Sequence, residues 1–402
     1  MLGEQIRPIH PFPARMAPSI VWDAIPNEGR PLDIFDPMAG SGTTLVATKA
    51  KGHKAHGCDT DPLALLIAQA WCSEIDPDGL RRRGILVLER ARSISETIDP
   101  AEAYPPQADD ETRRFLNYWF DEHNRVQLSA LSKAISRIRD LHERLLLWCA
   151  FSRLIITKKT GVSLAMDVSH SRPHRVYQKA PVQPFEKYCI AVEYVAKHAP
   201  FRKGEGASLP TDIRHGDARN LPFEDNSFDW VITSPPYLNA IDYLRGHKFS
   251  LVWMGYSISQ LRGIRSNNIG AERSYDGPTS NIVEKALCKM GKVQLLPPRN
   301  KAVLIRYLGD MILVIREIRR VLKSKGHAVM VIGDSTVRGV YIRNSLALEY
   351  LGKQHGLDLV SKRCRPIPDH RRYLPPPNLV SSGDAMKNRM RNEAILTFQA
   401  GS

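Results

Sequence analysis

The spacing of apolar positions changes several times along the chain, and each change marks an element. Residues 31–36 (PLDIFD) form a short apolar run ending in Asp36; a GSG turn follows, then TTLVATKAKG, helix-like and closed by Gly52. A second run, HKAHGCD, ends at Asp59, and Pro62 opens the apolar helical segment LALLIAQAWC, since proline suits a helix's first turn. From about Asp76 to Pro210 the pattern turns to charged helical periodicity without evident strands until its end. Strands resume with TDIRHGD and SFDWVIT, where Trp230, Val231 and Ile232 read as buried. The stretch LGDMILVIREIRRVLKSKG is predicted as a helix leading into the core strand HAVMVIGDS, and LDLVSKRCRPI with NEAILTFQA as an antiparallel hairpin closing the sheet. Strands alternating with helices predict an α/β fold with a mostly parallel sheet. Residues 1–75 and 211–402 form the expected catalytic domain, and 76–210 a largely helical insertion.

The chain has 402 residues, with 57 Lys and Arg against 42 Asp and Glu, a formal net charge of +15. Such a balance favours a polyanionic partner, although membrane-surface proteins share it. The six cysteines (Cys58, Cys72, Cys149, Cys189, Cys288, Cys364) show no C-x-x-C pair and no metal-ligand spacing, so no metal is expected. The sequence opens without a leader-like segment and holds no apolar run of bilayer length. A soluble cytoplasmic protein with reduced thiols is the expectation, with no membrane partner.

In DPMAGSGTT, Gly40 and Gly42 allow close backbone approach to a ligand at the carboxyl end of the first strand, where open α/β sheets bind ligands. The helix start at Thr43 can face the carboxylate of an amino-acid ligand. No Lys-Ser/Thr follows the glycines, so this is not a P-loop. Asp59 stands where an acid accepts hydrogen bonds from ribose hydroxyls, and Asp61, before Pro62, suits a helix N-cap. Asp217, in HGDARNLPF, is either a partner for an adenine amino group or a plain turn residue.

Thr233-Ser234-Pro235-Pro236-Tyr237 directly follows a buried-type strand. Two prolines stiffen the backbone and remove amide donors, leaving carbonyls as acceptors. A bland turn fits the same residues. Yet an exocyclic base amine is a poor nucleophile, because its lone pair is delocalised into the ring. Hydrogen bonds from it to Ser234 Oγ and the Pro235 carbonyl would favour a more pyramidal nitrogen, while Tyr237 stacks on the base. A base so engaged has left its duplex, and catalysis rests on orientation.

DPMAGSGTT resembles the cofactor motif of the DNA amino-methyltransferases, and TSPPY resembles their catalytic motif. HPFPARMAP, His10 to Pro18, is similar to the segment that closes over the methionine part of their cofactor. The resemblance covers residues 8–70, about 212–250 and, more loosely, 326–334. It implies a Rossmann-like methyltransferase sheet, S-adenosylmethionine as cofactor, and a flipped base beside Ser234, Pro235, Pro236 and Tyr237. The cofactor residues it implies are His10, Pro11, Phe12, Asp36, Met38, Gly40, Gly42, Thr43, Asp59 and Asp217; Met38 stands where the family often has Phe. Serine in the first motif position is typical of cytosine N4 methylation. N6-adenine methylation is the alternative, followed by an RNA base methyltransferase or a non-catalytic cofactor-binding protein that recognises DNA.

Three basic segments are candidates to grip double-stranded DNA, each also readable as solvated surface. They are Arg245–Tyr275, within a possible recognition segment at 245–305 that includes Arg245, Lys248, Arg262 and Arg265; Asp167–Arg175, with Arg172 and Arg175; and Arg365–Pro377, with Arg371 and Arg372. No nuclease constellation is visible, so a partner restriction endonuclease would be a separate chain. The oligomeric state is not readable.

Overall fold

Successive residues of the central strand serve opposite cores. In β1 (Asp33–Asp36), Ile34 packs with the helix α1 (Pro18–Ala24) side, whereas Phe35 packs on the other face, and both are fully buried. The same alternation of faces divides β4 (Phe228–Thr233), where Val231 and Ile232 point apart, and β5 (Leu322–Gly333), where Val329 and Val331 oppose Ala328 and Met330. Strands buried on both faces read as continuous apolar runs, which is why HAVMVIG was legible.

The computed structural model describes residues 6–13, 15–204, 209–237, 242–270, 280–367 and 392–401. The remaining sheet strands are β2 (Lys54–Asp59), β3 (Thr211–His215), β6 (Leu357–Pro366) and β7 (Asn392–Ala400). Their order across the seven-stranded sheet is β3-β2-β1-β4-β5-β7-β6. The pairs from β3 to β5 are parallel, and β7 runs antiparallel between β5 and β6. This is the expected Rossmann-like, mostly parallel sheet with its C-terminal antiparallel hairpin. The order reverses direction between β1 and β4, so a crevice opens at their carboxyl ends.

One face carries α2 (Thr43–Ala50) and α3 (Pro62–Cys72); the other carries α11 (Asn281–Met290), α12 (Pro298–Val321) and α13 (Asn344–Gln354). Residues 76–210 contribute α4 (Pro77–Ser95), α5 (Asp110–Trp119), α6 (Glu122–Ser136), α7 (Leu141–Ile155) and α8 (Pro184–His198). Four of these start on a capping aspartate, Asp76, Asp109, Asp121 and Asp140, whose carboxylate accepts a first-turn amide. They share one continuous core with α3 and with α9 (Leu244–Leu251). The chain leaves for these helices at Ile75 and returns beside it, Lys203 donating its amide to the Ile75 carbonyl at 2.8 Å.

One boundary differs from the sequence reading. The helix predicted to run through LKSKG ends at Val321, and β5 begins at Leu322. The lysines suit a helix, but pairing of Leu322 with Phe228 wins, and Lys325 takes a φ of +59° as the register shifts.

Candidate active site

The glycine turn and the proline motif leave neighbouring strands. Phe35 is paired with Val231, so the ends of β1 and β4 lie side by side. Thr44, in the first turn of α2, donates its hydroxyl to Asp36 Oδ2 at 2.6 Å and lies 3.4 Å from the Ile232 carbonyl. The Met38 amide donates to Asp36 Oδ1 at 3.1 Å. Burial pushes Asp36 up to about 6 despite these bonds. Asp36 is thus an internal strut that shapes the turn.

Gly40 and Gly42 have φ of +51° and +86°, the left-handed region that favours glycine. A Cβ at Gly42 would also stand 2.9 Å from Ala68 Cβ, so α2 and α3 meet there without space for a side chain. Gly42 is the N-cap of α2 and no side chain caps that helix, which leaves its first amides directed at the crevice. The neighbouring Ser41 hydroxyl is buried without a partner among the described residues, a second donor suited to an anionic ligand group.

Asp59, at the end of β2, accepts the Gly40 amide at 2.8 Å and the Asp61 amide at 2.9 Å. Burial, then the nearby Asp61 charge, pushes it up to about 7. Asp61 caps α3 through the Leu63 amide (2.9 Å) and meets His247 Nδ1 at 2.5 Å. Sequence reasoning missed His247, which lies 186 positions away.

The amino-terminal segment lies over the turn. The Phe12 ring is the nearest group to a Cβ placed on Gly40, at 3.6 Å, and it packs on the rings of Tyr243 and His247. His10 is buried and bonds through Nε2 to Ser152 of α7 at 2.9 Å, so it ties the segment to the helices of 76–210. Pro11 is half-buried between them. Met38 and Tyr237 both pack against the core on the α12 side of the sheet.

Asp217 is gripped by Arg219, whose Nη2 donates at 2.7 Å. Against the upward push of burial, Arg219 holds Asp217 below its ordinary value. The same guanidinium donates to Asp310 Oδ1 (2.7 Å) and to the Asn267 carbonyl (2.6 Å). It therefore clamps the turn after β3 to α12 and to α10 (Ile258–Asn267).

Beyond β4, Ser234 is half-buried and its Oγ lies 3.2 Å from the Val331 carbonyl and 3.4 Å from the Tyr237 hydroxyl. That hydroxyl in turn lies 3.3 Å from Glu393 Oε2. Burial first, then the Glu393 charge, raises the Tyr237 phenol. Pro235 is buried and Pro236 half-buried. The described residues hold no group of three His, Cys, Asp or Glu able to bind a metal.

No family model matches the sequence. The chain is similar to the Type II methyltransferase M.MvaI of Kocuria varians, 23% identical over 434 residues, covering 96% of this chain and 87% of that one. It is also similar to the Type II methyltransferase M.BsoBI of Geobacillus stearothermophilus, 25% identical over 258 residues, spanning 58% of this chain and about half (49%) of that protein. Both of these similar proteins are Type II methyltransferases. Among solved structures, an S-adenosylmethionine-dependent methyltransferase from Methanosarcina mazei aligns at 8% identity over 95% of this chain and 97% of that chain, with a TM-score of 0.34. At that score the fold assignment rests on strand order instead.

With a formal net charge of +15, the placement of the cations bears on any polyanionic partner. Arg172 and Arg175 are exposed; the Arg175 guanidinium lies 4.9 Å from the Tyr118 ring centroid. The turn that precedes them, Val168–His170 with Ser171, packs on Gly246 of α9. Arg245 and Arg265 both pair with Asp242, and Arg262 pairs with Glu111. Lys248 is lowered by burial and then by the charge of Arg265. Arg371 and Arg372 lie outside the described residues.

Proposed function

We propose that the protein methylates the exocyclic N4 amine of a cytosine flipped out of duplex DNA, with S-adenosylmethionine as donor. One observation supports the reading: the proline-stiffened loop that carries the Ser234 hydroxyl leaves the end of β4 next to the end of β1, where the glycine turn begins. When bound, the cofactor supplies a methyl group on a sulfonium centre. The chain's residues suit that ligand. The α2 amides and Ser41 face its carboxylate, Asp59 its ribose hydroxyls, Asp217 its adenine amine, and Phe12 and Met38 its apolar walls.

On the substrate side, Ser234 Oγ and the Pro235 carbonyl accept the two amine hydrogens and so localise the nitrogen lone pair. Tyr237 supplies a ring for stacking. The residues from Gly40 to Tyr237 hold amine and donor in line, so proximity carries most of the rate. Serine at the first motif position favours cytosine over adenine. Residues 76–210 and the segment 245–305 are proposed to embrace the duplex. The test is incubation of the purified protein with labelled cofactor and, in parallel, DNA or RNA, followed by digestion to nucleosides and mass spectrometry. N4-methylcytosine is expected; N6-methyladenine would replace cytosine by adenine, and label confined to RNA would remove DNA as the substrate.

A further inference from the structure

β7 is antiparallel to its neighbours, so its first residues, not its last, lie at the carboxyl edge where the crevice opens. Glu393 is there, paired in register with Gly333 of β5 and Arg365 of β6. Its Oε1 lies 3.6 Å from Arg365 Nε and its Oε2 lies 3.3 Å from the Tyr237 hydroxyl. A row of polar groups therefore crosses the sheet edge: Arg365, Glu393, Tyr237, Ser234 and the Val331 carbonyl.

We propose that Glu393 is a positioning residue for methyl transfer, acting through Tyr237 to fix which way the Ser234 hydroxyl points. The proposal rests on the methyl-transfer reading given above. An ionised carboxylate only accepts, so the single phenolic proton of Tyr237 goes to Glu393. The Tyr237 oxygen is then an acceptor toward Ser234, as is the Val331 carbonyl. Both neighbours of the serine accept, so its proton is turned toward one of them and its lone pairs toward the open side. An incoming base amine brings N–H donors and needs those lone pairs. Without Glu393, Tyr237 is free to donate to Ser234 and competes with the amine.

The test compares single-turnover methyl transfer to DNA by the wild type, Glu393→Ala, Tyr237→Phe and the double variant, with cofactor affinity by calorimetry and thermal melting as controls. Loss of one oriented hydrogen bond predicts a rate reduced roughly tenfold in Glu393→Ala with cofactor affinity unchanged. The double variant, lacking the competing hydroxyl, is expected to match Tyr237→Phe and to exceed Glu393→Ala. A merely structural role does not produce that rescue. Glu393→Met, which keeps side-chain length and offers only a weak, uncharged thioether acceptor, carries the same expectation if the alanine variant melts early. A wild-type rate in Glu393→Ala or Glu393→Met, or a double variant no faster than Glu393→Ala, overturns the proposal while the methyl-transfer reading stands. No transfer to DNA by the wild type overturns both.

Discussion

The rings of Phe12 and Tyr243 stack with centroids 5.2 Å apart and planes 28° apart. A residue ahead of the first strand thereby meets one just beyond the proline motif, and the Phe12 ring lies beside Gly40. On the proposed reading, the segment that closes over the cofactor and the loop that follows the proline motif share this contact. Phe12→Ala should weaken cofactor binding by roughly tenfold, since an aromatic pair and its burial are lost. Calorimetry checks this; unchanged affinity would remove Phe12 from the cofactor wall.

Gly42 is constrained twice, by its φ of +86° and by Ala68 at 2.9 Å from the position of a Cβ. Gly42→Ala should cost about 2 kcal/mol or more of stability, from backbone strain plus overpacking between α2 and α3. Denaturant melting is the measurement. A variant as stable as the parent would show that the turn relaxes freely.

Asp36 and Asp59 prefer their proton in the fold, at about 6 and about 7. Raised acids favour the folded state fully below the ordinary value of 3.8, and that contribution is lost as pH rises through 6 and 7. In the ligand-free protein, Asp59→Asn should therefore flatten the fall of stability between about pH 4 and pH 7. Ribose hydroxyls donating to Asp59 favour its ionised form, so cofactor binding near neutral pH should release protons. Calorimetry in buffers of different ionisation enthalpy measures the release, and none at all would contradict a ribose contact.

Arg172 and Arg175 are exposed with no carboxylate paired to them among the described residues, whereas Arg262 is held by Glu111. If the first two neutralise phosphates, each change to Ala should lower the slope of log affinity against log salt by about one, uniformly across sequences. Arg262→Ala should change it less. Equal effects for all three would show that this surface does not discriminate them.

Much of this arrangement was legible in the sequence because it is local. Apolar runs ending in Asp36 and Asp59, glycines between strand and helix, and Asp61 before Pro62 each carry their own signal, and Asp61 does cap α3. What was not legible is held by contacts across long separations. Arg219 and Asp310 are 91 positions apart, and Tyr237 and Glu393 are 156 apart. Neither pair has a spacing that periodicity can detect, and both depend on how helices and the C-terminal hairpin settle on the sheet. The end of α12 was misread because its lysines fit a helix locally while strand pairing at Leu322 is a tertiary effect.

Ser234 is the atom-level claim on which the reading depends, and one comparison tests it most directly. DNA from cells expressing the wild type or Ser234→Ala is sequenced by a method that detects modified bases, with cofactor binding of both purified proteins measured alongside. The wild type should leave N4-methylcytosine in one short sequence context, and Ser234→Ala should leave none while binding cofactor normally. Equal modification by both proteins, or unmodified DNA from both, would contradict the account.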